Sequence, residues 1–332
     1  MSAQRDHLLA LINASWTTQV IGAALRLGIP AVLAAGTCSL DEVATHTATH
    51  PPALRRLLEA LATLGLVGRE DNDQWSLAGP GRLLLSDVDG SLAAWAEFCA
   101  GPSWDVWRGL TDSVRTGACQ RRKEGFSHFD DNAEAAAVFN RAMRDLTAPI
   151  ATAFAARVEL GLGARVVDVG GGSGELLAAV LAQHPSATGR VLDLPHAAGG
   201  AARCFDERGV SERAVFVAGD FFDLVPSDAE VYLVKSVLHD WDDAKATGIL
   251  RRIAAAASVE ARIFVLERLR PEPRGESAVD RAIARSDLNM LVGTGGCERS
   301  EAEYVKLLDS AGLRHVCTVE LVPGYGAIEA RR

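Results

Sequence analysis

The spacing of apolar residues divides the chain into a helical first part and an alternating second part. Over residues 8–33 the apolar positions recur at helical spacing, and Gly28-Ile29-Pro30 indicates a break between two helices. Ser39 is a suitable N-cap for a third helix, and Pro51-Pro52 introduces a fourth, which Gly65 ends. The pattern therefore predicts four helices at the start of the fold.

Two short apolar segments, residues 66–69 and 74–77, then follow around a polar turn and predict a hairpin. Helices followed by a hairpin form a winged-helix arrangement, which serves either DNA binding or dimerisation. The chain carries 43 acidic against 34 basic side chains, a formal charge of −9 that repels a phosphate backbone. We therefore favour a dimerisation module and no nucleic-acid partner, and keep a ligand-sensing regulator as the alternative.

Beyond residue 85 the pattern is helical again, a polar stretch covers residues 116–131, and an alanine-rich helix is predicted over residues 133–158. From residue 165 onward apolar strands alternate with helices, which predicts a doubly wound α/β sheet of seven strands. The predicted strands are residues 165–169, 189–192, 214–217, 230–235, 262–267, 314–319 and 326–330. The last two are joined by too few residues for a parallel crossover and should be antiparallel.

The most informative segment is the turn after the first of these strands. Gly170-x-Gly172-x-Gly174 leads from the strand into a helix predicted over residues 175–183, which is the geometry of a nucleotide-binding turn. Glu175 occupies the position of the third glycine in the dinucleotide pattern, where a carboxylate would repel a pyrophosphate. The turn therefore favours S-adenosylmethionine, which has no phosphates, over NAD(P), and an NAD(P)-dependent oxidoreductase is the less favoured alternative.

The composition of the chain mainly excludes classes of site and segment: metal sites, signal peptides and membrane spans. The chain is 48% hydrophobic and 23% charged, as globular proteins are. Its six cysteines are scattered without a C-x-x-C pair, and no His/Cys/carboxylate ligand cluster appears, so we expect no metal. The polar first residues resemble no signal peptide, and no uncharged apolar run approaches the roughly 20 residues of a membrane span. We expect a cytoplasmic protein with no membrane partner.

Five motifs in order resemble the class I S-adenosylmethionine-dependent O-methyltransferases of the caffeic-acid or plant type, including their bacterial natural-product relatives. The motifs are Val167-Asp168-Val169-Gly170-Gly171-Gly172-Ser173-Gly174, Asp193-Leu194-Pro195-His196, Gly219-Asp220-Phe221-Phe222, Leu238-His239-Asp240-Trp241-Asp242-Asp243 and Gly295-Gly296-Cys297-Glu298-Arg299-Ser300. With the winged helix, the resemblance covers nearly the whole chain. It implies a Rossmann-like methyltransferase sheet behind a helical, winged-helix-like dimerisation domain.

The resemblance divides the chain into a dimerisation domain, a helical connector that contributes to the substrate pocket, and a cofactor-binding methyltransferase domain. These cover residues 1–100, 101–158 and 159–332. We expect a homodimer and a small-molecule hydroxyl acceptor.

Strand ends supply the candidate cofactor contacts. Asp193, 21 residues beyond Gly172, ends the second strand, where a carboxylate can accept both ribose hydroxyls. Asp220 can accept from the adenine amino group, with Phe221 against the ring. Asp168 is a candidate for holding the turn or the methionine amino group. The resemblance adds Lys235, with Gly170 and Gly172 at the turn.

His239 follows the fourth strand and matches the general base of this family. Ordinary pKa values of about 6.5 for imidazole and about 10 for phenol make full proton transfer uphill by about 5 kcal/mol. The family's pattern places an acidic residue on either side of this histidine, here Glu267 and Glu298, and a carboxylate on one ring nitrogen raises the basicity of the other. We expect Asp240 to lie in the N-terminal turn of a helix. Its alternative role is that of a further partner of His239.

The resemblance also implies contacts with the acceptor, although an aromatic or methionine at helical spacing is more often a core residue. The candidates are Trp104, Trp107, Phe139, Met143, Asn289 and Met290. The expected reaction is methyl transfer from S-adenosylmethionine to a hydroxyl, most simply a phenol of a small secondary metabolite. N- or C-methylation, or catalysis by proximity alone, remain alternatives within the same fold.

Overall fold

A computed structural model describes residues 2–120 and 133–332, and the chain divides into two compact units, Met1–Asp105 and Val106–Arg332. Most of the polar stretch predicted over residues 116–131 lies outside the described residues. The domain limits drawn from the sequence at residues 100 and 158 stay predictions.

The first unit is mainly helical. Ser39 caps α3 as predicted, because its side chain accepts from the Glu42 amide while the Glu42 carboxylate accepts from the Ser39 amide at 2.7 Å. Gly28, with φ of +70°, separates the first two helices. The helices are α1 Ser2–Arg26, α2 Ile29–Ala34, α3 Leu40–Thr47, α4 Pro51–Thr63, α5 Ala93–Ala100 and α6 Pro102–Trp107, the last of which contains the boundary between the units.

A small antiparallel sheet completes the first unit. The predicted hairpin forms as β2 Val67–Glu70 and β3 Gln74–Leu77, and a further strand, β1 Cys38–Ser39, pairs with β3. The sequence did not predict β1, since two residues are too few to show a period. Trp75 of β3 is fully buried in the core of this unit.

Helix α1 leaves much of its apolar surface exposed in this single chain. Residues Ala3–Arg26 are long and apolar enough to cross a membrane, with 11% of the apolar window buried. The expectation that no run approaches a membrane span is therefore wrong, since the polar residues within α1 carry no charge from Leu8 to Leu25. Length and composition alone are weak evidence for a membrane span, and an interface helix passes the same test.

Within the described residues, the second unit contains a seven-stranded sheet in the order β6-β5-β4-β7-β8-β10-β9, parallel except for β10, which is antiparallel to both of its neighbours. The doubly wound topology and the antiparallel last pair are as predicted. The strands are β4 Arg165–Val169, β5 Thr188–Asp193, β6 Ala214–Ala218, β7 Val231–Lys235, β8 Arg262–Arg268, β9 Arg314–Val322 and β10 Tyr325–Arg331.

The helices of this unit flank the sheet, and a hydrophobic cluster lies on each face. The predicted long helix ends at Ala155 rather than residue 158, because the Arg157 and Val158 amides both bond to the Phe154 carbonyl and close its last turn. The helices are α7 Leu110–Thr116, α8 Ala133–Ala155, α9 Glu175–Gln183, α10 Ala198–Glu207, α11 Asp243–Ala256, α12 Ala278–Gly293 and α13 Glu301–Ser310. The parallel strands all end at one edge of the sheet, where open α/β folds bind ligands.

Candidate active site

The glycine turn after β4 is shaped by close contacts on one side and open space on the other. Gly170 has φ of +70°, and a Cβ there would lie 2.6 Å from the Val237 side chain. Gly172 has φ of +56°, and a Cβ there would meet nothing within 4 Å. The turn thus needs glycine for its backbone, and the space beside Gly172 suits a ligand that approaches the main chain.

Asp193 lies at the end of β5, beside this turn. Its Oδ2 accepts from the Gly172 amide and its Oδ1 from the Leu194 amide, both at 2.7 Å. Burial raises the pKa of this carboxyl, and the two amides counteract it. Each carboxylate oxygen keeps a further lone pair, so Asp193 can support the turn and still accept from a ribose.

Asp168 is fully buried and Lys235 partly buried near the ends of β4 and β7, next to the turn, and the charge of each acts on the other. The carboxylate oxygens of Asp168 have no hydrogen-bond partner among the described residues. Burial raises the pKa of Asp168 to about 7, with the charge of Lys235 acting against it. Burial also lowers the pKa of Lys235 to about 8, and its ammonium donates to the Ser236 hydroxyl at 2.9 Å.

An aromatic group borders the same edge of the sheet. Phe221 packs edge-on against Trp241, with ring centroids 6.4 Å apart, while Asp220 is exposed and accepts from the Phe222 amide at 2.8 Å. The buried Trp241 indole nitrogen has no partner among the described residues. The sequence reasoning missed Trp241, although its place directly after Asp240 in the catalytic motif was a signal.

His239 lies in a short 3-10 turn after β7, buried among carboxylates. Its Nδ1 is 3.3 Å from Glu267 Oε2 and 3.4 Å from Glu298 Oε2. Both glutamates, which the sequence placed on either side of the histidine, face the same ring nitrogen, Nδ1. Glu267 belongs to β8 and Glu298 to the loop after α12, so two separate elements each bring a carboxylate to this nitrogen.

Each glutamate has one oxygen anchored and the other directed at His239. Glu267 Oε1 accepts from the amides of Val237 and Leu238 at 3.1 and 2.9 Å, and Glu298 Oε1 accepts from the Ser286 hydroxyl at 2.7 Å. These anchors fix the carboxylates, and the carboxylates fix Nδ1 as the protonated nitrogen. Nε2 is left as the basic nitrogen.

Asp240 is the carboxylate on the Nε2 side, with Oδ1 at 3.9 Å from that nitrogen. The expectation that it belongs to a helix N-terminal turn is wrong, because Asp242 caps α11 by accepting from the Lys245 amide at 2.8 Å. Burial raises the pKa of Asp240 to about 6, against the charge of His239.

The charges around His239 change its proton affinity. Burial opposes the imidazolium, but the carboxylates of Glu267, Asp240 and Glu298 outweigh burial and raise the pKa of His239 to about 10. The carboxylates therefore lower the cost of proton transfer from a phenol below the roughly 5 kcal/mol expected with an unperturbed imidazole, while the neutral ring that accepts the proton predominates only in alkaline solution. The sequence-based figure assumed an unperturbed imidazole, which the three carboxylates exclude.

The same three side chains satisfy the spacing of a metal site. Donor atoms of His239, Glu267 and Glu298 lie within 4.8 Å of one another. Nδ1 hydrogen-bonds to Glu298 Oε2, and Glu267 Oε2, which has no hydrogen-bond partner among the described residues, acts on the ring through its charge; Lys235 and Arg268 lie close enough to act on the charges of the two glutamates. We keep the prediction that the reaction needs no metal.

The structure brings together only some of the predicted acceptor contacts. Trp107 donates from its indole nitrogen to Asn289 Oδ1 at 2.9 Å, linking the segment before α7 to α12. Met290 lies near the end of α12, and its carbonyl accepts from the Thr294 and Gly295 amides. Phe139 and Met143 are one turn apart on α8, and Trp104 belongs to the first unit.

Comparison with known proteins agrees with this class of fold and site. A model of the O-methyltransferase domain matches residues 107–314, and a model of the O-methyltransferase dimerisation domain matches residues 9–87. The chain belongs to the O-methyltransferase family. S-adenosylmethionine is its methyl donor.

Named relatives come from antibiotic pathways. The mitomycin biosynthesis 6-O-methyltransferase of Streptomyces lavendulae is 37% identical, over 94% of this chain and 90% of that protein. The O-demethylpuromycin-O-methyltransferase of Streptomyces alboniger is 36% identical, over 98% of this chain and 89% of that protein. NcsB1, an O-methyltransferase from neocarzinostatin biosynthesis solved with S-adenosylmethionine and 2-hydroxy-5-methyl naphthoic acid, has a TM-score of 0.78 and 32% identity, covering 95% of each chain.

Proposed function

We propose that this enzyme methylates a phenolic hydroxyl of a small aromatic secondary metabolite, with His239 as general base. The acceptor oxygen attacks the methyl carbon of S-adenosylmethionine, the carbon–sulfur bond breaks, and S-adenosylhomocysteine leaves. The phenolic proton passes to Nε2 of His239 as attack proceeds. Attack of a phenolate on a sulfonium removes two opposite charges, so a dry site favours the transition state over the separated ions.

The single observation that carries the base assignment is the pair of anchored carboxylates at Nδ1, at 3.3 and 3.4 Å. They stabilise the imidazolium that forms when Nε2 takes the proton. Glu267 and Glu298 therefore act through His239 rather than on the acceptor. Much of the remaining rate enhancement comes from holding oxygen, methyl carbon and sulfur in line.

The cofactor-binding residues at the sheet edge each contact a different part of S-adenosylmethionine. Asp193 accepts from the ribose, and Phe221 with Trp241 packs against the adenine, with Asp220 at its amino group. Asp168, with Lys235 beside it, faces the methionine portion next to Gly170 and Gly172. The unpartnered Asp168 oxygens and Trp241 indole nitrogen support this assignment, since a bound ligand would give them partners.

The acceptor class rests on the relatives. Two of those named above are O-methyltransferases of mitomycin biosynthesis and of O-demethylpuromycin, and NcsB1 was solved with 2-hydroxy-5-methyl naphthoic acid, a hydroxylated aromatic compound. Trp107, Phe139, Met143, Asn289 and Met290, all of the second unit, are the proposed contacts of the acceptor ring, and the role expected of Trp104 stays a prediction.

The exposed side of α1 and the match to a dimerisation domain together support a homodimer. Leu8, Ile12 and Trp16 are 57%, 64% and 66% exposed and recur every four residues, so they share one face. Because α1 belongs to a dimerisation domain, we expect this face to contact a second copy of the chain. We expect the dimer to work in the cytoplasm, where S-adenosylmethionine is made.

A turnover screen tests the proposed reaction. Purified enzyme is incubated with methyl-labelled S-adenosylmethionine and matched panels of naphthols, phenolic acids and the corresponding aryl amines, and products are analysed by mass spectrometry. Labelled aryl ethers are expected from the phenols. Products from the amines alone would overturn the proposal in favour of N-methylation.

A further inference from the structure

Arg299, in the loop between α12 and α13, is one of the most completely bonded buried charges among the described residues. Its side chain is 3% exposed. Its guanidinium donates to the Leu238 carbonyl at 2.9 Å, the Trp241 carbonyl at 2.7 Å and Asp243 Oδ1 at 2.9 Å. Each of these acceptors belongs to the segment that carries His239 or to the helix start directly after it.

The residues before Arg299 hold the same segment from the same side. The Cys297 amide donates to the His239 carbonyl at 2.9 Å. Gly296 lies so close that a Cβ there would be 2.0 Å from the His239 carbonyl oxygen. Residues 296–299 thus bind the carbonyls of Leu238, His239 and Trp241, and glycine at position 296 permits the approach.

Apart from Glu267, whose carboxylate accepts from the Val237 and Leu238 amides, the backbone of the His239 segment is held mainly by its own short turn. It is a single 3-10 turn, Leu238–Asp240, with internal bonds of 3.1 and 3.3 Å, preceded by Ser236 at a strained φ of +52°. Glu298, next to Arg299, contacts the imidazole itself. One loop therefore sets both the backbone of His239 and one of its carboxylate partners.

We propose that Arg299 is a positioning residue for methyl transfer: it holds the His239 backbone so that Nε2 stays in line with the acceptor hydroxyl. This inference rests on the proposed role of His239 as base. Arginine suits the task because its planar fork donates in three directions, whereas the ammonium of lysine is a point charge on a flexible stem. A displacement of about 1 Å in such a group can cost about a hundredfold in rate.

The test compares two phenols with the Arg299→Lys variant. One phenol is weakly acidic and needs a base; the other is acidic enough to bind as the phenolate at neutral pH and does not. Arg299→Lys keeps the positive charge, and Arg262→Lys is the matched control, since Arg262 also bonds a carboxylate and a carbonyl but at the opposite end of β8. His239→Gln is measured in parallel.

We expect Arg299→Lys to lower kcat about tenfold to a hundredfold on the weakly acidic phenol and far less on the acidic phenol. Arg262→Lys should leave the ratio of the two rates unchanged. Equal losses on both phenols, or no loss, would overturn the inference. If His239→Gln discriminates between the phenols and Arg299→Lys does not, only the Arg299 role fails; if His239→Gln does not discriminate, the base assignment fails.

A second variant covers the case in which Arg299→Lys does not fold, as judged by loss of S-adenosylmethionine binding. Asp243 is 78% exposed and orients the guanidinium, so Asp243→Ala should fold and loosen Arg299 without removing it. We expect a smaller loss of kcat with the same preference for the acidic phenol. An unchanged ratio of the two rates in this variant would contradict the proposed positioning.

Discussion

At the scale of single residues, the environment of His239 decides the chemistry. Two carboxylates at Nδ1 and a third near Nε2 raise its pKa, and the first two also fix the tautomer. An imidazole in this setting accepts a proton from a phenol at a lower cost than an unperturbed imidazole does. The glutamates thus raise the driving force for proton transfer without contacting the acceptor.

Asp168 gives a prediction about the pH dependence of cofactor binding. Its pKa is raised by burial to about 7, so the free site is protonated in mild acid. If the carboxylate pairs with the cationic amino group of S-adenosylmethionine, binding requires the ionised form and affinity falls about tenfold per pH unit below 7. Calorimetric Kd values at several pH values measure this. Asp168→Asn, the control, should bind more weakly and without pH dependence, and a flat wild-type curve would exclude the pairing.

The carboxylate–histidine cluster also gives a prediction about metal. Because a protonated Nδ1 faces both carboxylates and hydrogen-bonds to Glu298, removal of divalent cations should leave turnover unchanged. The measurement is kcat after dialysis against EDTA, with and without restored Mg²⁺ or Zn²⁺. Loss of activity in EDTA that is recovered on adding a metal would show that the cluster is a metal site instead.

At the scale of secondary-structure elements, Glu175 joins three helices. It is the first residue of α9, its side chain is 2% exposed, and it pairs with Arg144 of α8 and with Arg208, which follows α10. Glu175, the residue that indicated against a dinucleotide cofactor, thus belongs to a structural ion-pair cluster. Its charge also lies at a helix N-terminus, where a negative group is favourable.

Replacing this carboxylate should destabilise the fold. Glu175→Gln leaves two arginines without their buried partner, and we expect the free energy of unfolding to fall by about 3 kcal/mol. Glu207→Gln is the control, because Glu207 pairs with the same Arg144 but is 54% exposed, and it should cost less than about 1 kcal/mol. Urea unfolding of both variants measures the difference, and equal losses would contradict the account.

Elements with a clear period or cap were predictable from the sequence. The alternation of apolar strands and helices predicted the sheet, and Ser39 as an N-cap predicted the start of α3. Strand β1 was missed because two residues carry no period. The direction of side chains in loops could not be predicted, because loop backbone follows no periodic sequence pattern. This applies to the two glutamates that face Nδ1, to Asp240 on the Nε2 side, and to the bonds from Arg299 to the His239 segment.

At the scale of the whole molecule, the exposed face of α1 predicts association. Ile12→Glu puts a charge on the proposed dimer contact, where its desolvation would be costly, so the equilibrium should shift to monomer. Leu162→Glu is the control: Leu162 is 96% exposed and lies outside α1, so the dimer should persist. Sedimentation velocity measures both. A dimer that survives Ile12→Glu unchanged would contradict the assignment of this face.

The most direct measurement of the central claim is the rate of His239→Gln on the weakly acidic and the acidic phenol at saturating S-adenosylmethionine. Glutamine keeps a polar side chain but cannot take the proton. If His239 is the base, kcat falls by about 10² to 10⁴ on the weakly acidic phenol and much less on the acidic one, which is already ionised. The same loss on both phenols, with cofactor affinity intact, would mean that His239 positions the acceptor and that the proton leaves by another route.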